Sequence, residues 1–357
     1  MISGSWSDLF RNAQFRSFQQ LTGLKPGEKQ LIIGPGYHAT GGGGYGKRDA
    51  PPRIDVLQKA WFDHWLKGID NGIETYGPII EKMPNAQGWQ RISELPRSGM
   101  TNQRLYLRSE ASGTAGRVQH DGSLAVQPPA KPDQLTVRVG VNSLCSDITN
   151  TLYLGSTAIV MACAQDERRH EVDGLTFTSN PVSVPTVISG PVAVHLNSQH
   201  VGTDGFWMAT VTDVAPNGNS LPLSSGWVVS SMRKVDQARS KRGPNGDYTD
   251  PIQTIDLLRD HQPVVPGEAT TIDFGTYPMD AVLQPGHRLR VSIYSSNYPS
   301  AVPPMPMMMG AGLTPPPYPV RDAVLLFTPG HTFHPQHLNI DPTAPSWISL
   351  PASDPIP

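Results

Sequence analysis

Proline and glycine interrupt this sequence at short intervals, 36 and 34 of them in 357 residues. Proline withholds a backbone donor and fixes φ, and glycine favours turns, so long uninterrupted helices are disfavoured over most of the chain. Only 16% of the residues are charged, which points the same way. The expectation is a largely all-β structure of short strands joined by turns. The length suffices for two domains or one large one. Lys plus Arg number 28 against 30 Asp plus Glu, a net charge of -2. That balance argues against a nucleic-acid or anionic-membrane partner and leaves a small molecule or another protein. No apolar run approaches the roughly 20 residues of a membrane helix, and "MISGSWSDLF" lacks the basic and apolar regions of a signal peptide.

Residues 1–95 depart from the all-β grammar. "KQLIIGP" is a short continuous apolar run, the pattern of a parallel strand covered on both faces. "RIDVLQKAWFDHWLKG" places Ile54, Leu57, Trp61 and Trp65 on one helical stripe. Pro51 and Pro52 precede that helix and Gly68 terminates it. Strand, loop, helix reads as part of an α/β domain.

From about Leu105 the pattern becomes alternation, and residues 100–352 are expected to form a β-sandwich. "RLRVSIYSS" sets Leu289, Val291 and Ile293 on one face and Arg288, Arg290 and Ser292 on the other. "FWMATVTDV" and "AVLLFT" also read as strands. The proline-rich stretch 300–320 is incompatible with a central strand and is expected to be an exposed loop. No internal repeat occurs.

Several motifs carry less than they suggest. "GGGGYGKR" (41–48) approaches a phosphate-binding loop, but Arg48 replaces the metal-holding hydroxyl and "DAPPR" replaces the helix that would cradle phosphate. "HTFHPQH" spaces His331, His334 and His337 by three, yet Pro335 breaks the helix that would gather them. It is expected to be a polar connection into a last strand near "SWISLP". "PMPMMMG" reads as a loop rather than a soft-metal site. Cys145 and Cys163 are too sparse for zinc and form either two buried thiols or one disulfide, the latter implying an oxidising compartment.

One histidine has a candidate partner. "GSWSDLF" (4–10) has the form of a strand end carrying Asp8, and His38 follows in "LIIGPGYH" after one helix and one strand. In a parallel sheet with right-handed crossovers that spacing brings both residues to the carboxyl ends of adjacent strands. A carboxylate that accepts the imidazole Nδ1 proton fixes the tautomer in which Nε2 acts as a base, the second half of a serine-hydrolase relay. The G-x-S-x-G elbow that carries the serine in that order of residues is absent from this sequence, so the nucleophile is expected upstream of Met1.

These stretches resemble the CocE/NonD hydrolases, the group of cocaine esterase, X-Pro dipeptidyl-peptidases and α-amino acid ester hydrolases. The likeness runs from about residue 2 to about 350 and covers the C-terminal portion of such an enzyme. "GSWSD" is similar to the family's G-W-x-D strand end, with one residue inserted, and "LIIGPGYH" to its L-x-x-G-P-W-x-H, with Gly36 where the family has tryptophan. "AWFDHWLKG" resembles its F-F-D-x-x-L-K-G helix. "GTDGFWMATVTDVAPNG" and "LQPGHRLRVSIYSSNYP" resemble two of its sandwich strands.

The resemblance implies that 1–95 are the end of an α/β-hydrolase domain and that 100–352 form an all-β jelly roll packed on it. It implies Asp8 and His38 as catalytic residues, Tyr37 as a substrate-binding candidate, and an ester or amide substrate. No cofactor or metal is implied, and a homo-oligomer is left open. The chain alone is expected not to hydrolyse esters, with 1–95 loosely ordered beside an independently folded sandwich. The competing expectation is a non-catalytic β-sandwich that binds carbohydrate or protein.

Overall fold

A computed structural model describes residues 1–25, 27–39, 44–155, 163–254, 256, 259–301 and 334–357. His331, the methionine-rich stretch from 302 onward, "AVLLFT" and glycines 41–43 lie outside them.

The chain opens with β1 (Ile2–Ser5), α1 (Arg11–Gln20), β2 (Leu31–Gly34), α2 (Ile54–Lys67), β3 (Ile79–Glu81) and β4 (Gln90–Ile92). The four strands form one sheet in that order. β1, β2 and β3 are parallel, with Ile2 opposite Leu31 and Leu31 opposite Ile79, and β4 is antiparallel. Parallel neighbours need a crossover, and a helix supplies each one. The two faces of β2 explain its unbroken apolar run. Leu31 and Ile33 join Phe15 and Phe18 of α1 in one cluster, whereas Ile32 joins Leu57 of α2 in another. Side chains alternate across a strand, so a helix on each face buries all of them.

α2 forms where its spacing predicts, and Gly68 ends it with φ 70° in the left-handed region that glycine adopts without penalty. The predicted apolar stripe is narrower than expected. Leu57 is buried and Trp61 half-buried, but Trp65 is 38% exposed. Eight residues along a 3.6-residue helix rotate the side chain about 80° off the starting face, which carries Trp65 out of the contact.

β4 ends at Ile92, and the next strand, Thr101–Arg108, belongs to a second sheet of 13 strands. That sheet surrounds a large apolar core drawn from strands along its path, including Leu105, Phe177, Trp207, Phe274, Val291 and Ile348. The strands Phe206–Val214 and Arg288–Tyr294 pair antiparallel, with Val211 opposite Val291.

Two expectations are corrected here. Residues Phe206–Val214 are buried on both faces, and so are Arg290 and Ser292, which alternation had placed on a polar face. On their outer face these strands meet α3 (Asp147–Leu152) and α4 (Arg168–Glu171): Ile148 clusters with Phe206, Met208 and Tyr294, and His170 stacks on the Tyr294 ring. A buried guanidinium must be fully paired. Arg290 meets Glu171 at 2.6 Å, the Thr178 hydroxyl at 2.9 Å and the Thr114 carbonyl at 3.1 Å. The second correction concerns "HPQH": Gln336–Ile340 is a strand between Ala193–His200 and Asp133–Val137, not a connection. Its Gln336 is buried because the side-chain amide bonds both the N–H and the C=O of Phe206, at 2.7 and 2.8 Å. Trp347–Ala352 is the last strand, as expected.

Polar contacts tie the small sheet and its helices to the rest of the chain. Arg97 bridges Glu81 of β3 and Asp280, Asn85 donates to Asp213 at 3.0 Å and to the Val282 carbonyl, and Arg16 grips Asp250.

Candidate active site

Parallel pairing of β1 with β2 continues beyond both strands: Trp6 N–H donates to Gly34 C=O at 2.9 Å and Ser7 N–H to Gly36 C=O at 3.2 Å. These bonds hold the two strand-end turns side by side, so the residues just beyond them, Asp8 and His38, are brought together. Asp8 Oδ2 lies 3.2 Å from His38 Nδ1. A carboxylate accepts, so Nδ1 carries the proton and Nε2 bears the lone pair.

The carboxylate is fixed from its other side. Phe10 N–H donates to Oδ1 at 2.8 Å, the turn that starts α1, and Gln14 Nε2 approaches Oδ2 at 3.4 Å. Phe10 also packs edge-on against the imidazole, ring centroids 5.3 Å apart. The Asp8 side chain is buried and that of His38 is 45% exposed. Among the described residues Nε2 makes no hydrogen bond. A buried acid orienting a partly exposed imidazole is an arrangement that can take a proton from a hydroxyl and stabilise the imidazolium that results.

Tyr37, expected at a substrate wall, turns its hydroxyl onto Asp147 of α3 at 2.7 Å. Burial and the Asp147 charge push its pKa well above the usual tyrosine value, so it stays a donor. It lines a cavity of ≈ 620 Å³ with Trp6, Gly36 and Asp147. A second cavity, ≈ 210 Å³, lies between Asp8, Arg11, Asp147 and Tyr277. Burial among these walls raises the Asp147 carboxyl to about 6 and Glu167 adds to the rise, while Tyr37, Arg11 and Ser7 oppose it. Arg11 is buried, donating to the Trp6 and Leu223 carbonyls. Neither Asp147 nor Arg11 stood out in the sequence. Asp147 follows a good helix N-cap, Ser146, but nothing links that signal to Asp8.

Cys145 and Cys163 are joined as a disulfide, Cα atoms 5.1 Å apart, on either side of α3. Among the described residues no three metal-ligating side chains gather, and no helix is long and apolar enough to cross a membrane.

The profile of the X-Pro dipeptidyl-peptidase C-terminal non-catalytic domain matches residues 71–331, most of the chain. The chain belongs to this family. The membership agrees with the CocE/NonD resemblance of its motifs. As a member of the X-Pro dipeptidyl-peptidase C-terminal family, it has relatives that are named as hydrolases. A putative serine esterase of Mycobacterium bovis is 26% identical over 303 residues, 82% of this chain and 44% of that protein. A putative Xaa-Pro dipeptidyl-peptidase of Rhodopirellula baltica is 26% identical over 74% of this chain and 36% of its own length. The cocaine esterase of Rhodococcus is 21% identical over 84% and 49%. The chain therefore spans less than half the length of these curated relatives. In fold it is similar to a CocE/NonD family hydrolase from Staphylococcus aureus, with TM-score 0.65 and 14% identity over 98% of this chain and 54% of that one. The matched segment 71–331 begins after both Asp8 and His38, so the pair lies outside the part described as non-catalytic.

Proposed function

We propose that this chain is the C-terminal portion of a serine hydrolase that cleaves an ester or amide bond through an acyl-enzyme. Residues 1–95 are the end of its α/β-hydrolase domain, and 100–352 are a jelly-roll sandwich packed against it. His38 is the general base, Asp8 orients it and balances its charge, and the nucleophilic serine comes from sequence outside these 357 residues. The observation that carries the reading is the 3.2 Å approach of Asp8 to His38 Nδ1, with the acid buried and the histidine side chain partly exposed.

In the reaction, Nε2 takes the serine proton as the hydroxyl attacks the acyl carbon, then returns it to the leaving oxygen or nitrogen. Water repeats the cycle on the acyl-enzyme. Reading the frame upstream of the Met1 codon for a G-x-S-x-G elbow, then expressing the longer product, tests this. The longer product is expected to hydrolyse p-nitrophenyl esters or an X-Pro-p-nitroanilide, and His38→Ala to lower kcat by at least a thousandfold. Equal turnover with and without His38 would refute it.

The description of 71–331 as non-catalytic favours a second reading for the sandwich alone, a module that binds carbohydrate or protein. Saturable binding on a glycan array by the sandwich, with no hydrolase sequence upstream, would support that reading instead.

A further inference from the structure

The sandwich touches the two strand-end turns through one helix. Asp147 accepts from the Tyr37 hydroxyl at 2.7 Å. Tyr37 is the residue before His38, and Ser7 the residue before Asp8. One turn later on the same helix face, the Thr151 hydroxyl donates to the Ser7 carbonyl at 3.1 Å. Just past the helix, the Leu154 carbonyl accepts from the N–H of Ala39, the residue after His38, at 3.0 Å.

α3 is itself held from behind. Ser146 caps it, Glu167 accepts the Asp147 N–H at 2.9 Å, and Cys145 leads into it from the disulfide. A six-residue helix is marginal alone, so these supports make it a rigid presenter of the Asp147 carboxylate.

We infer that Asp147 is a positioning residue: its carboxylate holds the turn bearing His38, through Tyr37, on the same helix whose Thr151 holds the turn bearing Asp8, so that one helix of the sandwich fixes the two turns relative to one another. The inference rests on the proposed relay, because it supplies the reason those two turns must be in register. Asp147 is bonded to neither the imidazole nor its carboxylate partner, and acts through Tyr37. A hydrogen-bond register must be held within a few tenths of an ångström for Asp8 to keep accepting from Nδ1. The two backbone bonds between the turns, Trp6 N–H to Gly34 and Ser7 N–H to Gly36, pair them but do not by themselves hold the side chains beyond to that precision.

The test is the tautomer of neutral His38, read from the imidazole nitrogen shifts in a long-range 15N–1H spectrum of the full chain. A role confined to stability would leave this observable unmoved in folded protein. In the wild type the Nδ1–H form is expected to predominate, and Asp8→Ala to abolish that excess. Asp147→Asn, which replaces the charged acceptor of the Tyr37 hydroxyl by a weaker neutral one, is expected to lower the Nδ1–H to Nε2–H ratio several-fold. Tyr37→Phe, a nearly isosteric change, is expected to lower it in the same direction and decides the matter if Asp147→Asn fails to fold. If Asp8→Ala collapses the ratio while folded Asp147→Asn and Tyr37→Phe keep it, the positioning role is overturned and the relay stands. If the wild type matches Asp8→Ala, the pair itself is not formed, and both ideas fall.

Discussion

Arg97→Met probes how the two sheets are fastened. The Arg97 guanidinium contacts Glu81 and reaches Asp280 at 2.7 and 3.0 Å, and neither carboxylate side chain is exposed. Removing one partner of a buried ion pair costs about 3–5 kcal/mol, because the other charge is left in a poorly solvating site. Here two carboxylates are left, and they can share a proton, which favours the lower end, about 3 kcal/mol. For a domain of this size that is a fall in Tm of roughly 6–12 °C.

The loss has a pH signature. Burial first, and Asp280 next, raise the Glu81 pKa above its ordinary 4.5, and Arg97 opposes both. A carboxyl raised on folding contributes its full stability below 4.5 and loses it as pH climbs toward the raised value. With Arg97 present the raised value is about 9, and without it the rise is larger, so wild type and variant both hold Glu81 protonated at pH 7 and diverge as the wild-type carboxyl ionises; the penalty should be larger at pH 10 than at pH 7. Glu81→Gln added to Arg97→Met should recover most of that increase. Urea unfolding followed by circular dichroism at both pH values measures this. A loss under about 1 kcal/mol at pH 7, or an equal loss at both pH values, would refute the reasoning.

The Cys145–Cys163 link closes a short loop, and reducing it is expected to cost about 3 kcal/mol; alkylation without reductant should find no free thiol, and two modified cysteines would contradict the pairing. The amides of β1, at the edge of its sheet with one side unpaired, should exchange at least tenfold faster than those of Phe206–Val214, flanked by strands on both sides. Equal protection would contradict that difference.

Much of the small sheet was readable because its cues are local. "LII" announces a strand covered on both faces, and Gly68 marks the end of α2. The 30-residue step from Asp8 to His38 is one parallel crossover, and their side chains lie 3.2 Å apart. What escaped was tertiary. Arg290 looked like a solvent-facing residue because Glu171, which neutralises it, sits 119 positions away on a four-residue helix with no periodicity to read. Gln336 looked like a loop residue because its amide stands in for a strand partner. Asp147 meets Tyr37 across 110 positions, and a lone aspartate after a helix cap carries no hint of that.

Gly36 sits between the strand and the Tyr37-His38 turn with φ at 121°. Side chains with a Cβ rarely occupy that region, and forcing one there costs on the order of 1–3 kcal/mol. The CocE/NonD motif that this stretch resembles has tryptophan here, so Gly36→Trp would first require the peptide to turn over, carrying the histidine two residues on with it. What that motif supplies as a side chain, this chain supplies as a backbone conformation, and one can take the other's place only by rebuilding the turn.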